Sequence, residues 1–241
     1  MSDVKKYFKV ISLDITDSTN NEAKRIIKDG ETAPFIIIAN EQTSGRGRQG
    51  KSFFSPRDTG LYMTVSFPIK KEAKDFLYLT SAAAVSVVEA IYNLTGEICG
   101  IKWVNDIYKD GKKICGILTE SVMGENPHVI IGIGVNLTTA SFPEEISHIA
   151  ASLDCPSVTS KALAEEISTK LRFYFESGAS SFIDLYRKYS IVLSKDITYI
   201  KNGETRFGRV LSITDSGALL VKRADDEEEI LDSGEISLRL K

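Results

Sequence analysis

Five apolar residues in succession, Phe35-Ile36-Ile37-Ile38-Ala39, run straight into a polar loop punctuated by glycine, from Glu41 to Gly50. A short β-branched run bounded by turn residues reads as a buried strand. Within the loop, Gly45, Gly47 and Gly50 satisfy GxGxxG. A dinucleotide fold built on that pattern needs a helix to start at the loop, because the helix N-terminus holds the pyrophosphate. The residues that follow, Lys51-Ser52-Phe53-Phe54-Ser55-Pro56, start a helix poorly, so the doubly wound dinucleotide fold is rejected. The loop does not match GxxxxGK[ST] either.

What remains is a cationic loop after a strand. Arg46 and Arg48 alternate with the three glycines. Glycine lets backbone amides approach an anion, and arginine offers permanently charged, bidentate donors for phosphate or carboxylate. A solvated basic loop is the plain alternative. A loop that orders over an anionic ligand is the functional one.

A second constellation follows. Asp110-Gly111 is a tight-turn signal, because Gly tolerates positive φ. It reads as a hairpin in which Ile101-Lys102-Trp103-Val104 pairs with Ile114-Cys115-Gly116-Ile117-Leu118. Lys102, Asn105 and Asp106 end the first strand, and Lys112 and Lys113 begin the second. A lysine beside a carboxylate is often only a structural ion pair, and Trp103 taken alone reads as core. Together with the arginine loop, the set gathers up to four cations and a carboxylate. That combination suits a phosphoryl transition state, with Asp106 near a nucleotide or its magnesium ion.

The remaining elements mix helix and strand. Ser18-Thr19-Asn20-Asn21-Glu22 opens a helix in which Thr19 and Glu22 have capping-box spacing. Ala23, Ile26 and Ile27 give it an apolar face, and Gly30 ends it. Leu61–Phe67 alternates as a strand, about 74–94 forms a long alanine-rich helix closed by Gly96, and His128–Asn136 is a strand carrying Gly132 and Gly134. Helices follow at about 160–177, with Leu163, Ile167, Leu171 and Phe175 in one stripe, and at about 180–190. After Leu193 the texture changes to short strands: Ile197–Lys201, Thr205–Ile213, Ala218–Arg223, Glu228–Leu231 and Ile236–Leu240. Turns at Asn202-Gly203, Ser216-Gly217 and Ser233-Gly234 separate them. The chain therefore reads as an α+β domain over residues 1–193 and a small all-β barrel over 194–241.

Composition narrows the function classes. Thirty Lys and Arg against 33 Asp and Glu give a net charge of −3, which argues against general nucleic-acid binding. The apolar stretches are too short for a transmembrane helix, and the N-terminus lacks a signal-peptide core. The three cysteines, Cys99, Cys115 and Cys155, form no CxxC pair and suit reduced thiols in a cytoplasm. Two histidines and no GxSxG elbow supply zinc or serine-hydrolase chemistry poorly.

SGRGRQG, KWVNDIYKDGKKICGILTE and IGIGVNL, in that order, resemble the biotin protein ligases, and Asp17–Asn20 and Gln42 fit the same pattern. The resemblance spans the whole chain. It implies a mixed-sheet catalytic domain with helices, of the class II synthetase-like type, followed by an SH3-like β-barrel. It also implies a two-step reaction: biotin and ATP, with Mg2+, give biotinyl-5′-AMP and pyrophosphate, and the biotinyl group then passes to a lysine of a biotin carboxyl carrier protein. Carried onto this sequence, the resemblance sets Ser18, Thr19, Asn20 and Gln42 against the biotin head, a role compatible with helix capping by the first two. Arg46, Gly47 and Arg48 cover the biotin carboxylate and α-phosphate, and Lys113 stabilises the developing charge. Lys102, Asn105 and Asp106 lie on the nucleotide side, and Asn136 reads the adenine edge. Arg48, Lys113 and Asp106 are thus the catalytic candidates.

The chain departs from the family pattern in three places. Val104 stands where proline is common, Gln49 where relatives often carry another arginine, and Phe53 where some carry tryptophan. Before Ser18 there is no room for the winged helix of family members that repress transcription, so operator binding is not expected. A homodimer through sheet edges and a monomer fit the sequence equally well. Two other readings compete: a lipoate or octanoyl transferase, against which the loop and the barrel speak, and a non-catalytic binder of biotin or its adenylate.

Overall fold

A computed structural model describes residues 2–69, 77–201, 203–232, 234 and 236–238. Lys74–Phe76, Asn202, Ser233, Arg239 and Leu240, which the sequence reading included in elements or turns, lie outside the described residues.

The core is a seven-stranded mixed sheet in the order β1-β2-β3-β7-β6-β5-β4. Its strands are β1 (Lys9–Thr16), β2 (Phe35–Gln42), β3 (Gly60–Pro68), β4 (Gly100–Lys102), β5 (Asp106–Lys109), β6 (Lys112–Val122) and β7 (His128–Asn136). Only β1 and β2 run parallel, joined by the crossover helix α2 (Thr19–Lys28). A short helix, α1 (Ser2–Tyr7), precedes β1. One face of the sheet is covered by α3 (Leu77–Thr95), α5 (Ser160–Ser177) and α6 (Ile183–Tyr189), and α4 (Glu144–Ser147) lies in the connection before α5. Leu163, Ile167 and Leu171 of the sequence stripe are buried in this layer, and Phe175 stacks on Phe67 with ring centroids 4.1 Å apart.

The opposite face is only partly covered, and the two-residue period of the strands decides what it shows. Phe35, Ile37 and Ile130 meet Ala23 and Ile27 of α2, each large side chain contributing roughly 2 kcal/mol by burial. Beyond that patch the same face carries Thr64, Gly132 and Leu118 in one cross-strand row, and Tyr62, Gly134 and Gly116 in the next. Glycines at 132, 134 and 116 therefore leave β7 and part of β6 without side chains where α2 stops covering the sheet.

Leu61–Phe67 forms the expected strand, and β3 is buried on both faces, with Tyr62, Thr64 and Ser66 on the α2 side and Leu61, Met63, Val65 and Phe67 on the α3 side. Two expectations need correction. The strand 101–104 does not pair with 114–118. Asp110-Gly111 joins β5 to β6, and β4 pairs with β5, so Trp103–Asn105 form the bend of a three-stranded meander. The Thr19–Glu22 capping box does not form. Ser18 is the N-cap residue and makes no side-chain cap; Thr19 donates its hydroxyl to Gln42 and Glu22 pairs with Arg25.

The C-terminal strands β8 (Asp196–Lys201), β9 (Glu204–Ile213), β10 (Leu219–Arg223), β11 (Glu228–Leu231) and β12 (Ile236–Leu238) form one antiparallel sheet in the order β11-β10-β9-β8-β12. This sheet is fastened to the first. Trp103 Nε1 donates to the Gly217 carbonyl at 2.9 Å, and Arg187 Nε donates to the Ile213 carbonyl at 2.9 Å. Tyr186, fully buried, donates its hydroxyl to the Val104 carbonyl at 3.1 Å. The bend after β4 is thus held from two sides.

Candidate functional site

The bare region of the sheet floors a cleft of about 530 Å3. Every sequence candidate lines it: Ser18, Thr19, Asn20, Gln42, Arg46, Gly47, Arg48, Lys102, Asn105, Asp106, Lys113 and Asn136.

At the inner end stands the first turn of α2. Ser18, Thr19 and Asn20 are all buried. The Thr19 amide and hydroxyl both donate to Gln42 Oε1, at 2.9 and 3.1 Å, and Gln42 Nε2 donates to Ser55 Oγ at 2.9 Å. Asn20 Nδ2 donates to Glu120 Oε2 at 2.9 Å and to the Leu118 carbonyl at 3.3 Å, and Asn20 Oδ1 accepts from the Thr64 hydroxyl at 2.7 Å. Gly132 lies beneath this amide: a Cβ there would come within 2.4 Å of Asn20 Oδ1. The glycine is required by this close approach, not by its backbone angles.

The glycine–arginine loop crosses the top as a small hairpin. Gly47 donates to the Lys51 carbonyl at 2.7 Å, and Phe53 donates to the Gly45 carbonyl at 2.8 Å. A Cβ on Gly45 would come within 2.3 Å of the Phe53 carbonyl oxygen, so the neck of the hairpin excludes larger residues. The two arginines turn to opposite ends. Arg46 reaches inward, donating to Asn21 Oδ1 at 3.0 Å and pairing with Glu120 at 3.4 Å. Arg48 reaches outward and donates to Asn105 Oδ1 at 3.0 Å. The Phe53 ring hangs from the loop over Gly134 and Gly116.

Asn105 is fixed in turn, its Nδ2 donating to the Ile117 carbonyl at 2.9 Å. Lys113 extends over Gly116, and its ammonium lies 2.7 Å from Asp106 Oδ1. This is an ion-pair contact without an aligned hydrogen bond, since Oδ1 is buried and accepts none. Lys102 lies near the Tyr108 hydroxyl at 3.5 Å. The outer wall comes from 142–150, which is tied to β6 by bonds from Lys113 N to the Ile149 carbonyl and from Ala151 N to the Lys113 carbonyl. Asn136 Nδ2 donates to the Ala151 carbonyl at 3.1 Å, and its buried Oδ1 makes no hydrogen bond in the protein. A buried acceptor left open beside a cleft suits a ligand N–H.

Two contributors escaped the sequence reading. Glu120 closes the inner end, although it lies inside a motif quoted for other reasons, and Thr64 orients two of the head-end side chains. Among the described residues there is no group of three His, Cys, Asp or Glu side chains arranged to hold a metal.

The arrangement therefore offers a polar inner end, a glycine floor, and cations spread along one wall and the roof. Known proteins resemble this chain over most of its length. Residues 12–136 match the model of the biotin/lipoate A/B protein ligase family, and 195–239 match the biotin protein ligase C terminal domain. The bifunctional ligase/repressor BirA of Bacillus spizizenii is 31% identical over 242 residues, covering 92% of this chain and 71% of that protein. A biotin protein ligase from Aquifex aeolicus in complex with biotin and ATP superposes with a TM-score of 0.80 at 27% identity, covering 97% and 99% of the two chains. A Leishmania major biotin protein ligase in complex with biotinyl-5-AMP gives a TM-score of 0.62 at 26% identity, covering 92% and 98%.

Proposed function

The chain belongs to the biotin/lipoate A/B protein ligase family, and from that premise we propose that it is a biotin protein ligase. It condenses biotin with ATP to biotinyl-5′-AMP and pyrophosphate, then passes the biotinyl group to a lysine of a biotin carboxyl carrier protein. The observation that carries the assignment of roles is the gathering of Arg48, Lys113, Asp106 and Asn136 around a single glycine-floored cleft whose far end is Ser18–Asn20.

A carboxylate is a poor electrophile, and joining it to AMP supplies a leaving group. In this reading the ureido head of biotin lies against Ser18, Thr19 and Asn20, with Gln42 holding Thr19 in place. The valeryl chain runs from there along the cleft and delivers its carboxylate beneath the loop. Arg48 and Lys113 neutralise charge as the carboxylate oxygen attacks the α-phosphorus and pyrophosphate departs. Asp106 keeps the Lys113 ammonium in position. Asn136 Oδ1 accepts from the exocyclic amine of adenine, while Lys102 and Asn105 attend the nucleotide side. The loop hairpin then screens the mixed anhydride from water until the carrier lysine arrives. Magnesium enters with the nucleotide. Among the described residues Asp106 is the one carboxylate that lines the cleft, and no step is routed through an ion. All three cysteines are free, which fits a reducing compartment, and we place the reaction in the cytoplasm.

Pyrophosphate release from ATP, assayed beside biotin, lipoate and octanoate, tests the assignment. Release with biotin is expected. Release with lipoate or octanoate but not biotin would replace this reading with the acyl-transferase one. A second expectation concerns retention. Arg48→Gly removes the loop's anchor on Asn105, so biotinyl-5′-AMP should leak into solution roughly tenfold faster, one charged hydrogen bond being worth about that factor. Trapping the adenylate with free hydroxylamine measures the leak, and an unchanged rate refutes the covering loop.

A further inference from the structure

Glu120 has no part in the mechanism above, yet its carboxylate is engaged by three side chains at the inner end of the cleft. It sits on β6 opposite Ile130 on the α2 face of the sheet, with 20% of its side chain exposed. Three groups from two elements converge on its carboxylate. Lys24 Nζ donates to Oε1 at 2.7 Å and Asn20 Nδ2 donates to Oε2 at 2.9 Å, both from α2. Arg46, from the loop, pairs with it at 3.4 Å.

These contacts have a directional consequence. An asparagine amide can present either its oxygen or its nitrogen to a ligand, and nothing in Asn20 itself decides which. With both Nδ2 protons given to Glu120 and the Leu118 carbonyl, the oxygen is left on the other side, beside Thr64 and Gly132. The carboxylate therefore fixes Asn20 as an acceptor. It also holds the Arg46 guanidinium at the rim, where that group donates to Asn21 Oδ1. Burial pushes the Glu120 carboxyl up, but bonds from Lys24 and Asn20 and the charges of Lys24 and Arg46 outweigh it, leaving it below its ordinary value. The group is ionised at neutral pH.

We propose that Glu120 is the positioning residue of the head subsite: it locks the Asn20 amide as an acceptor for the ligand and latches Arg46 at the rim, so that this end of the cleft selects a ring bearing N–H donors. The proposal rests on the biotin reading of the same cleft, because the ureido ring is the part of biotin that carries such donors. It predicts an effect on biotin capture and not on the chemical step.

Glu120→Gln keeps size and shape but removes the charge that holds Lys24 and Arg46, and lets the amide at 120 compete for Asn20. Biotin Kd by calorimetry and KM are expected to rise roughly tenfold, while kcat at saturating biotin and KM for ATP stay within about twofold. Arg46→Met tests the latch from its exposed side, where folding is not at stake, and should raise biotin Kd in the same direction. The double variant should be no worse than the poorer single one, because both act through one contact. If wild type binds and activates biotin while both single variants match its Kd, or if the two effects multiply, the proposal fails alone. If wild type binds no biotin, the functional reading and the proposal fail together. A fall in kcat at unchanged biotin Kd also overturns it.

Discussion

Lys113→Ala is expected to slow biotin-dependent pyrophosphate release by about 100- to 1,000-fold, the usual cost of deleting a preorganised group that meets developing charge. Biotin affinity should change by no more than a few-fold, since the proposed head subsite, Ser18, Thr19 and Asn20, lies at the other end of the cleft. The split arises from where the ammonium is placed. It reaches over Gly116, which has no side chain to lift it, and rests 2.7 Å from Asp106. Removing it also leaves a buried carboxylate oxygen without its counter-charge. Asp106→Asn should therefore be milder than Lys113→Ala, because the ammonium loses an orienting partner but survives. Single-turnover formation of biotinyl-5′-AMP from radiolabelled ATP separates chemistry from binding. Adenylate formation at the wild-type rate in Lys113→Ala would remove this lysine from the mechanism.

Gly132→Ala should cost nearly as much, by a different route. The added methyl would stand 2.4 Å from Asn20 Oδ1 and 2.9 Å from its Cγ. The neighbour is not a flexible tip that can swing aside, because Asn20 is held by Glu120, Leu118 and Thr64. Either the amide leaves its partners or β7 shifts against α2. Overpacking of this kind costs about 1–3 kcal/mol, so the melting temperature should fall by several degrees and biotin affinity roughly 100-fold. Adding Asn20→Gly to this variant should return the melting temperature toward wild type without restoring affinity. Calorimetric binding with thermal unfolding checks both halves. Wild-type biotin affinity in Gly132→Ala would show that the head does not lie over this strand.

Much of the site was legible because its signals are local. The Asp110-Gly111 turn, the strand ending at Asn136 and the strand feeding the arginine loop each announce themselves within a few residues. The misreadings share one cause, which is a partner distant in sequence. Thr19 has the spacing of a capping box, but its hydroxyl is taken by Gln42, 23 residues away. The bend at Trp103–Asn105 has no glycine or proline to mark it, and it turns because Gly217 and Tyr186 hold it from outside. Glu120 follows Thr119 and precedes Ser121 in a strand, where alternation reads it as a solvated residue. Only the fold reveals that α2 and the loop both point at it. Contacts within an element leave a periodic trace in the chain, and contacts between elements leave none.

The hydrogen bond from Trp103 to Gly217 bears on how such an enzyme comes into being on the ribosome. Gly234 and Ile236 also line the cleft, so its rim includes segments synthesised long after Lys113. A nascent chain that has exposed both arginines and Lys113 still lacks the brace behind the tryptophan. Competence to activate a carboxylate therefore arrives late in translation, and a proteolytic fragment ending before residue 217 would carry the cationic groups without the frame that aligns them. The architecture thereby disfavours stray production of a reactive anhydride by unfinished or clipped molecules.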